Sequence, residues 1–314
     1  MTTDITLEMI ETARDRIARR IRRTPQMTFT LDNGQEVSAK LENLQISGSF
    51  KIRGALNTVL GLSKEELKRG LVTASGGNHG MGVATAGAMT GTKTTIYLPE
   101  STPLSKIEKL RRIATEVIVK GAVWDDANAL ALAAAKEGKH YVHPFANASV
   151  IAGQGTTGLE ILEDAPDLDI LLVAIGGGGL ISGVASAVKA IKPGIRVIGV
   201  EAIGAPTLKT SLDAGELTTL EKIETQAGTL APRRSEEINY RTISRLVDDI
   251  VLVSDGEMKK AAEWLWQNVG LGLELSAAAA VAALQSERFS TDPSAKIGVI
   301  ICGTGPDGFD HSGK

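Results

Sequence analysis

A chain of 314 residues, 43% apolar and 23% charged, has the composition of a folded globular protein with room for one large domain or two modest ones, and is neither a fibre nor a disordered tail. Its 34 Lys and Arg against 37 Asp and Glu give a net charge of −3 with no separate basic block, which argues against a nucleic-acid partner. One cysteine excludes an intrachain disulfide and any zinc site that needs two thiolates, four histidines leave little for a histidine-rich metal site, and 34 glycines exceed the average share of ~7%.

Near the N-terminus, Ile10, Ala13, Ile17 and Ile21 recur at helical spacing among charged residues, which predicts an amphipathic helix and no apolar export signal. The apolar runs at 170–175 and 277–284 are too short or too alanine-rich for a bilayer span of ~20 residues, so a cytoplasmic protein with no membrane partner is expected. Thr24-Pro25 ends the helical pattern, residues 37–41 alternate like a short strand, and a loop follows from Glu42 to Ser49. Short strands are then predicted at 72–74, 94–98, 116–119 and 140–143, with alanine-rich helical stretches between them. Strand and helix in alternation mean a parallel sheet. A second series follows, with strands at 170–175, 197–200, 249–253 and 297–302 and a helical stretch at 275–284. Two α/β lobes are expected, and the Thr- and charge-rich stretch 212–241 reads as an irregular excursion.

The glycines gather at strand ends. Gly176, Gly177, Gly178 and Gly179 join a buried strand to an apolar-periodic helix opening at Leu180, where backbone N–H groups and the helix dipole can surround a phosphate. The loop lacks the Gly-Lys-Ser/Thr ending of a nucleotide-binding loop, and the bland alternative is a tight turn. Ser75, Gly76, Gly77, Asn78 and His79 lie in a similar position and could grip a carboxylate, or could be a helix cap with an incidental histidine. A third loop, 302–308, follows the last strand; three such loops at the carboxyl ends of parallel strands would converge on one crevice. Lys51 sits between Phe50 and Ile52, and an apolar surround lowers an amine's pKa toward the neutral form that condenses with an aldehyde.

Four motifs, Ser47-Gly-Ser-Phe-Lys51-Ile-Arg-Gly-Ala55, Ser75-Gly-Gly-Asn-His79-Gly80, Ile151-Ala-Gly-Gln-Gly155-Thr156 and Gly176-Gly-Gly-Gly179-Leu180, occur in this order over nearly the whole chain. Together they resemble the fold-type II pyridoxal-phosphate enzymes, within them the threonine/serine dehydratase and serine racemase branch. The resemblance implies two open twisted, mainly parallel sheets flanked by helices: a large cofactor-binding domain at residues 1–65 plus 150–314, and a small mobile domain at 66–149 that carries the substrate-carboxylate loop. It implies a single-module, catabolic-type enzyme of amino-acid breakdown that forms a homodimer or higher homo-oligomer. Pyridoxal 5'-phosphate would be held by a Schiff base to Lys51, with Phe50 beside it. Gly176, Gly177, Gly178, Gly179 and the Leu180 N–H would bind its phosphate, Asn78 its ring hydroxyl and Cys302 its ring nitrogen. Ser75, Gly76, Gly77, Asn78 and His79 would bind the substrate carboxylate.

The implied activity is a deaminating dehydratase, an ammonia-lyase that converts L-threonine or L-serine to a 2-oxo acid and ammonia. Gly76 stands where racemases of this branch carry a serine that exchanges a proton, which disfavours racemisation. A monovalent or divalent cation at Glu201 and the Ala205 carbonyl is a weaker implication, because Thr207 replaces an aspartate. The stretch 227–240 departs from both the dehydratase and racemase patterns, so a bulkier or acidic β-hydroxy amino acid, such as phenylserine or hydroxyaspartate, stays open as substrate. Arg233 and Arg234 could meet a second carboxylate or simply be solvated. A racemase-like or β-replacement enzyme and a non-catalytic binding protein remain as other classes.

Overall fold

The computed structural model describes residues 4–286, 288–305 and 308. Ten strands, β1 (Gln26–Thr30), β2 (Glu36–Leu41), β3 (Leu71–Ala74), β4 (Thr94–Leu98), β5 (Glu116–Val119), β6 (His140–Tyr141), β7 (Ile170–Ala174), β8 (Arg196–Ala202), β9 (Asp249–Val253) and β10 (Ile297–Ile301), form two sheets flanked by helices. The larger has the order β1-β2-β10-β7-β8-β9 and the smaller β5-β4-β3-β6. Among the described strands the β1–β2 hairpin is antiparallel and the other strand pairings are parallel, with Ile297 opposite Ile170 and Leu71 opposite His140.

The central strands β3, β7 and β10 are buried along their whole length, as continuous runs such as Ile-Leu-Leu-Val-Ala in β7 and Ile-Gly-Val-Ile-Ile in β10 require when helices cover both faces. The first helix, Leu7–Ile17, buries Ile10, Ala13 and Ile17 as its spacing predicts, and Ile21 lies beyond its end. The irregular excursion is narrower than expected, because the helices Thr207–Ala214 and Glu237–Leu246 occupy its two ends.

Each sheet reverses direction once. In the smaller, the chain lays β3, β4 and β5 outward and then places β6 on the other side of β3; in the larger, β7, β8 and β9 run outward and β10 returns beside β7. Ligands of open parallel sheets bind outside the carboxyl ends of the strands at such reversals. The loops in question are therefore those after β3, β6, β7 and β10, and these carry Ser75–Asn78, His143–Phe145, Gly176–Gly179 and Cys302–Gly303. Among the described residues, no helix is long and apolar enough to cross a membrane.

Candidate active site

Lys51 is placed by the strand end beside it. Ser49 bridges Gly303 in antiparallel fashion, the Phe50 N–H donates to the Cys302 carbonyl at 3.2 Å, and the Thr304 N–H donates to the Gly48 carbonyl at 2.8 Å. This clamp delivers Lys51 as the first residue of the helix Lys51–Leu60. Its Nζ donates to the Pro144 carbonyl at 2.6 Å and lies 5.2 Å from the Phe50 ring centroid. Burial lowers the Lys51 pKa to about 8, against the opposing pull of Cys302 and Glu274, so a good share of the amine is neutral near pH 8.

The glycine loop is shaped by close approach. A Cβ on Gly177 would sit 2.3 Å from the Phe145 ring, and one on Gly179 would sit 2.5 Å from the Phe145 carbonyl. Gly178 has φ +89°, a left-handed conformation in which a side chain is strained. The helix that follows, Gly179–Ile191, has no side-chain cap, so the N–H groups of its first turn lack helical partners and are available to an anion. The helix Asn78–Thr90 also begins without a side-chain cap, behind Gly77. Ser75 Oγ accepts the Gly77 N–H at 3.3 Å, which curls the loop before that helix.

Asn78 leans across to the residue before the 3-10 turn Leu275–Ala278, where its Nδ2 donates to both Glu274 oxygens at 2.8 and 3.0 Å. Gly303 passes so close that a Cβ would lie 2.5 Å from Glu274 and 2.9 Å from Asn78. Cys302 is a free, buried thiol, and burial together with the neighbouring Glu274 carboxylate raises its pKa well above the ordinary thiol value, so it stays protonated. Lys51, Phe50, Asn78, Gly303 and Cys302 thus share one neighbourhood, and Phe145 links them to Gly176–Gly179. Pro306 and Asp307 of the third loop lie outside the described residues.

The structure specifies the surroundings of three further groups. The His79 imidazole is turned into the core of the smaller sheet, with Nε2 2.9 Å from the Val142 carbonyl and 3.1 Å from the Thr73 hydroxyl; its main-chain N–H, in the uncapped first turn, is what it can offer a carboxylate. Glu201 is a fully buried cap of the helix Thr207–Ala214: its oxygens accept the Leu208 and Lys209 N–H groups, each at 2.8 Å. Thr207 donates its hydroxyl to the Pro232 carbonyl at 2.6 Å. Arg233 and Arg234 are exposed and donate to the Leu220 and Leu217 carbonyls, respectively.

The turn His143-Pro144-Phe145 is missing from the sequence reading, which takes His143 as the end of a strand. His143 Nδ1 accepts the N–H groups of Phe145 at 3.2 Å and Ala146 at 2.8 Å, folding the turn that brings Pro144 to Lys51 and Phe145 to the glycines. A proline directly after a histidine at a strand end is the local signal of a turn. Burial lowers the pKa of His143 to about 4 and that of His79 to about 3, with Lys51 adding to both shifts. The folded chain therefore takes up these two protons less readily than the unfolded chain, whose histidines titrate near 6.5. Their contribution to stability is complete above pH 6.5 and is lost as the pH falls through 6.5 toward 4. Urea midpoints across that window should show a shallower decline for His143→Asn, whose Oδ1 can accept the same N–H groups without titrating; identical slopes would refute the assignment.

A family model described as "Pyridoxal-phosphate dependent enzyme" matches residues 17–303. The chain is 40% identical over 303 residues to an L-threonine ammonia-lyase of Thermotoga maritima, covering 95% of this chain and 75% of that protein. It is 38% identical over 286 residues to the catabolic L-threonine dehydratase TdcB of Escherichia coli, covering 90% and 87% of the two chains. The structure of maize serine racemase superposes with a TM-score of 0.91 at 34% identity, covering 96% of this chain and 94% of that one.

Proposed function

The chain belongs to the pyridoxal-phosphate dependent enzymes, and from that premise we propose that it is a deaminating dehydratase, an ammonia-lyase that converts a β-hydroxy amino acid such as L-threonine or L-serine to a 2-oxo acid and ammonia. The observation that carries this reading is the position of Lys51, a lysine of lowered pKa tied to the Pro144–Phe145 turn that packs on an uncapped glycine loop. The residues present fit the cofactor: a close-packed cradle of glycine N–H groups, an amine for the aldehyde, an amide and a protonated thiol.

In this reading Gly176, Gly177, Gly178, Gly179 and the Leu180 N–H hold the phosphate, Asn78 the ring hydroxyl and Cys302 the ring nitrogen, with Phe50 packed alongside. Bound pyridoxal phosphate supplies an electron sink for charge developing at the substrate Cα. The N–H groups of the Ser75–His79 loop orient the substrate carboxylate at a helix N-terminus. Neutral Lys51 Nζ takes the Cα proton as general base. Cys302, a neutral thiol, would offer the ring nitrogen a weak hydrogen bond and no full charge.

Gly76 offers no proton on the face opposite Lys51, which favours elimination over inversion at Cα. Residues 66–149 act as the mobile unit that closes over the substrate, and the remainder as the cofactor-binding unit. A single free cysteine suits work in the reducing cytoplasm, where the chain acts as a homodimer or higher homo-oligomer.

The test is a panel of L-threonine, L-serine, phenylserine and hydroxyaspartate with the cofactor-loaded chain, following 2-oxo acid, ammonia and inversion at Cα. Equal release of oxo acid and ammonia from at least one, with inversion at most ~1% of it, is expected, since general acid–base catalysis contributes at least ~10²-fold. No turnover on any of them while cofactor is bound would favour a β-replacement enzyme.

A further inference from the structure

Two side chains from the stretch that departs from the resemblance reach the glycine loop. Ser235 Oγ donates to the Gly177 carbonyl at 2.9 Å, and Asn239 Nδ2 donates to the same oxygen at 2.8 Å. The Asn239 amide also donates to the Phe145 carbonyl at 3.1 Å, so it engages both main chains that meet at the loop. Both side chains are fully buried. In a planar trans peptide the C=O and N–H point in opposite directions. Holding the Gly177 carbonyl toward Asn239 therefore turns the Gly178 N–H to the opposite face of the loop. Four consecutive glycines would otherwise sample many conformations, and ordering them on binding would weaken any anion complex.

We propose that Asn239, assisted by Ser235, is the positioning residue that presets the Gly176–Gly179 N–H groups for a phosphate ester. This rests on the reading of that loop as the phosphate site of pyridoxal phosphate, and it assigns Asn239 and Ser235 no contact with cofactor or substrate. The loop is held from both sides, by Phe145 at Gly177 and Gly179 and by Asn239 at Gly178, where a Cβ would lie 3.1 Å from that of Asn239.

The experiment titrates the full-length chain, stripped of cofactor, with pyridoxal 5'-phosphate and with pyridoxal. Both carry the aldehyde that Lys51 captures, and only one carries the phosphate; binding is read from the absorbance of the lysine-bound ring. Asn239→Asp places an acceptor against two carbonyls and should weaken pyridoxal 5'-phosphate binding roughly 10–100-fold, and Ser235→Ala roughly 3–10-fold, with pyridoxal affinity unchanged in both. Equal weakening of both ligands, or no weakening of either, overturns the proposal. Should Asn239→Asp not fold, Ser235→Ala decides by the same ratio. A wild-type chain that binds pyridoxal as tightly as its phosphate would sink the cofactor reading itself, whereas a wild-type preference unaltered in the variants sinks only this inference.

Discussion

Lys51→Ala should abolish turnover and the absorbance of lysine-bound cofactor while leaving the chain folded. Among the described residues the side chain makes one hydrogen bond, to the Pro144 carbonyl, and its pKa is lowered to about 8 because burial disfavours its charge. Truncation therefore removes little that holds the fold together. Under the proposed function it does remove the amine that anchors the aldehyde and the base that takes the Cα proton. A loss of at least ~10³-fold is expected, within the ~10²–10⁴-fold range of general acid–base catalysis before the anchoring role is counted. Steady-state rates, the visible spectrum and a thermal melt of the same preparation check the three parts together. A variant that kept more than a tenth of the activity would remove Lys51 from the mechanism.

Arg53→Met should produce the largest loss of stability. Arg53 is fully buried; its guanidinium donates to Glu42 at 2.7 and 2.8 Å, to Glu160 at 2.8 and 2.9 Å and to Thr156 at 3.0 Å. Lys40 Nζ adds a contact to Glu160 at 2.8 Å, so two buried cations face two buried carboxylates. Methionine fills part of the volume and leaves Glu42 with the Thr24 hydroxyl but no cation. Breaking a buried pair from one side costs about 3–5 kcal/mol, which corresponds to a fall in melting temperature on the order of 10 °C. Adding Glu42→Gln should restore part of the loss, since the orphaned charge goes with it. If the double variant is no more stable than the single one, the cost is packing and not charge. Because Arg53 lies two residues beyond Lys51 on one helix, the single variant should also bind cofactor less tightly.

What could be read without coordinates was whatever leaves a local trace. Alternating strand and helix signals located nine of the ten strands, and the glycine runs marked the loops after β3, β7 and β10. β1 was missed because Gln26-Met-Thr-Phe-Thr30 is half polar, although the Asn33-Gly34 pair between it and β2 is a strong hairpin signal. β6 is two residues long, not four, since the capping bonds to His143 turn the chain away. The helical stretch 275–284 begins as a 3-10 turn, Leu275–Ala278, before becoming α-helical at Ala279. Lys51, Asn78, the glycine loop and Cys302 were nameable because they lie in short motifs. Phe145, Ser235 and Asn239 were not, because each acts on residues 32 or more positions away, through hydrogen bonds and ring contact that no spacing encodes.

The two strand reversals described for the sheets share one wiring. Counted from β3, the smaller sheet is third-second-first-fourth, and counted from β7, so is the larger once the β1–β2 hairpin is set aside. In each, the first strand leads through glycines into an uncapped helix of 13 residues, Asn78–Thr90 in one and Gly179–Ile191 in the other. The chain thus builds one half-site twice without any repeat visible in its letters, and the proposed function gives one copy to a carboxylate and the other to a phosphate. The separation between those two anionic ends is then set by how the halves dock, not by individual side chains. Selection among amino acids is left to whatever lies between them, so substrate preference can change in this architecture while both anchors stay in place.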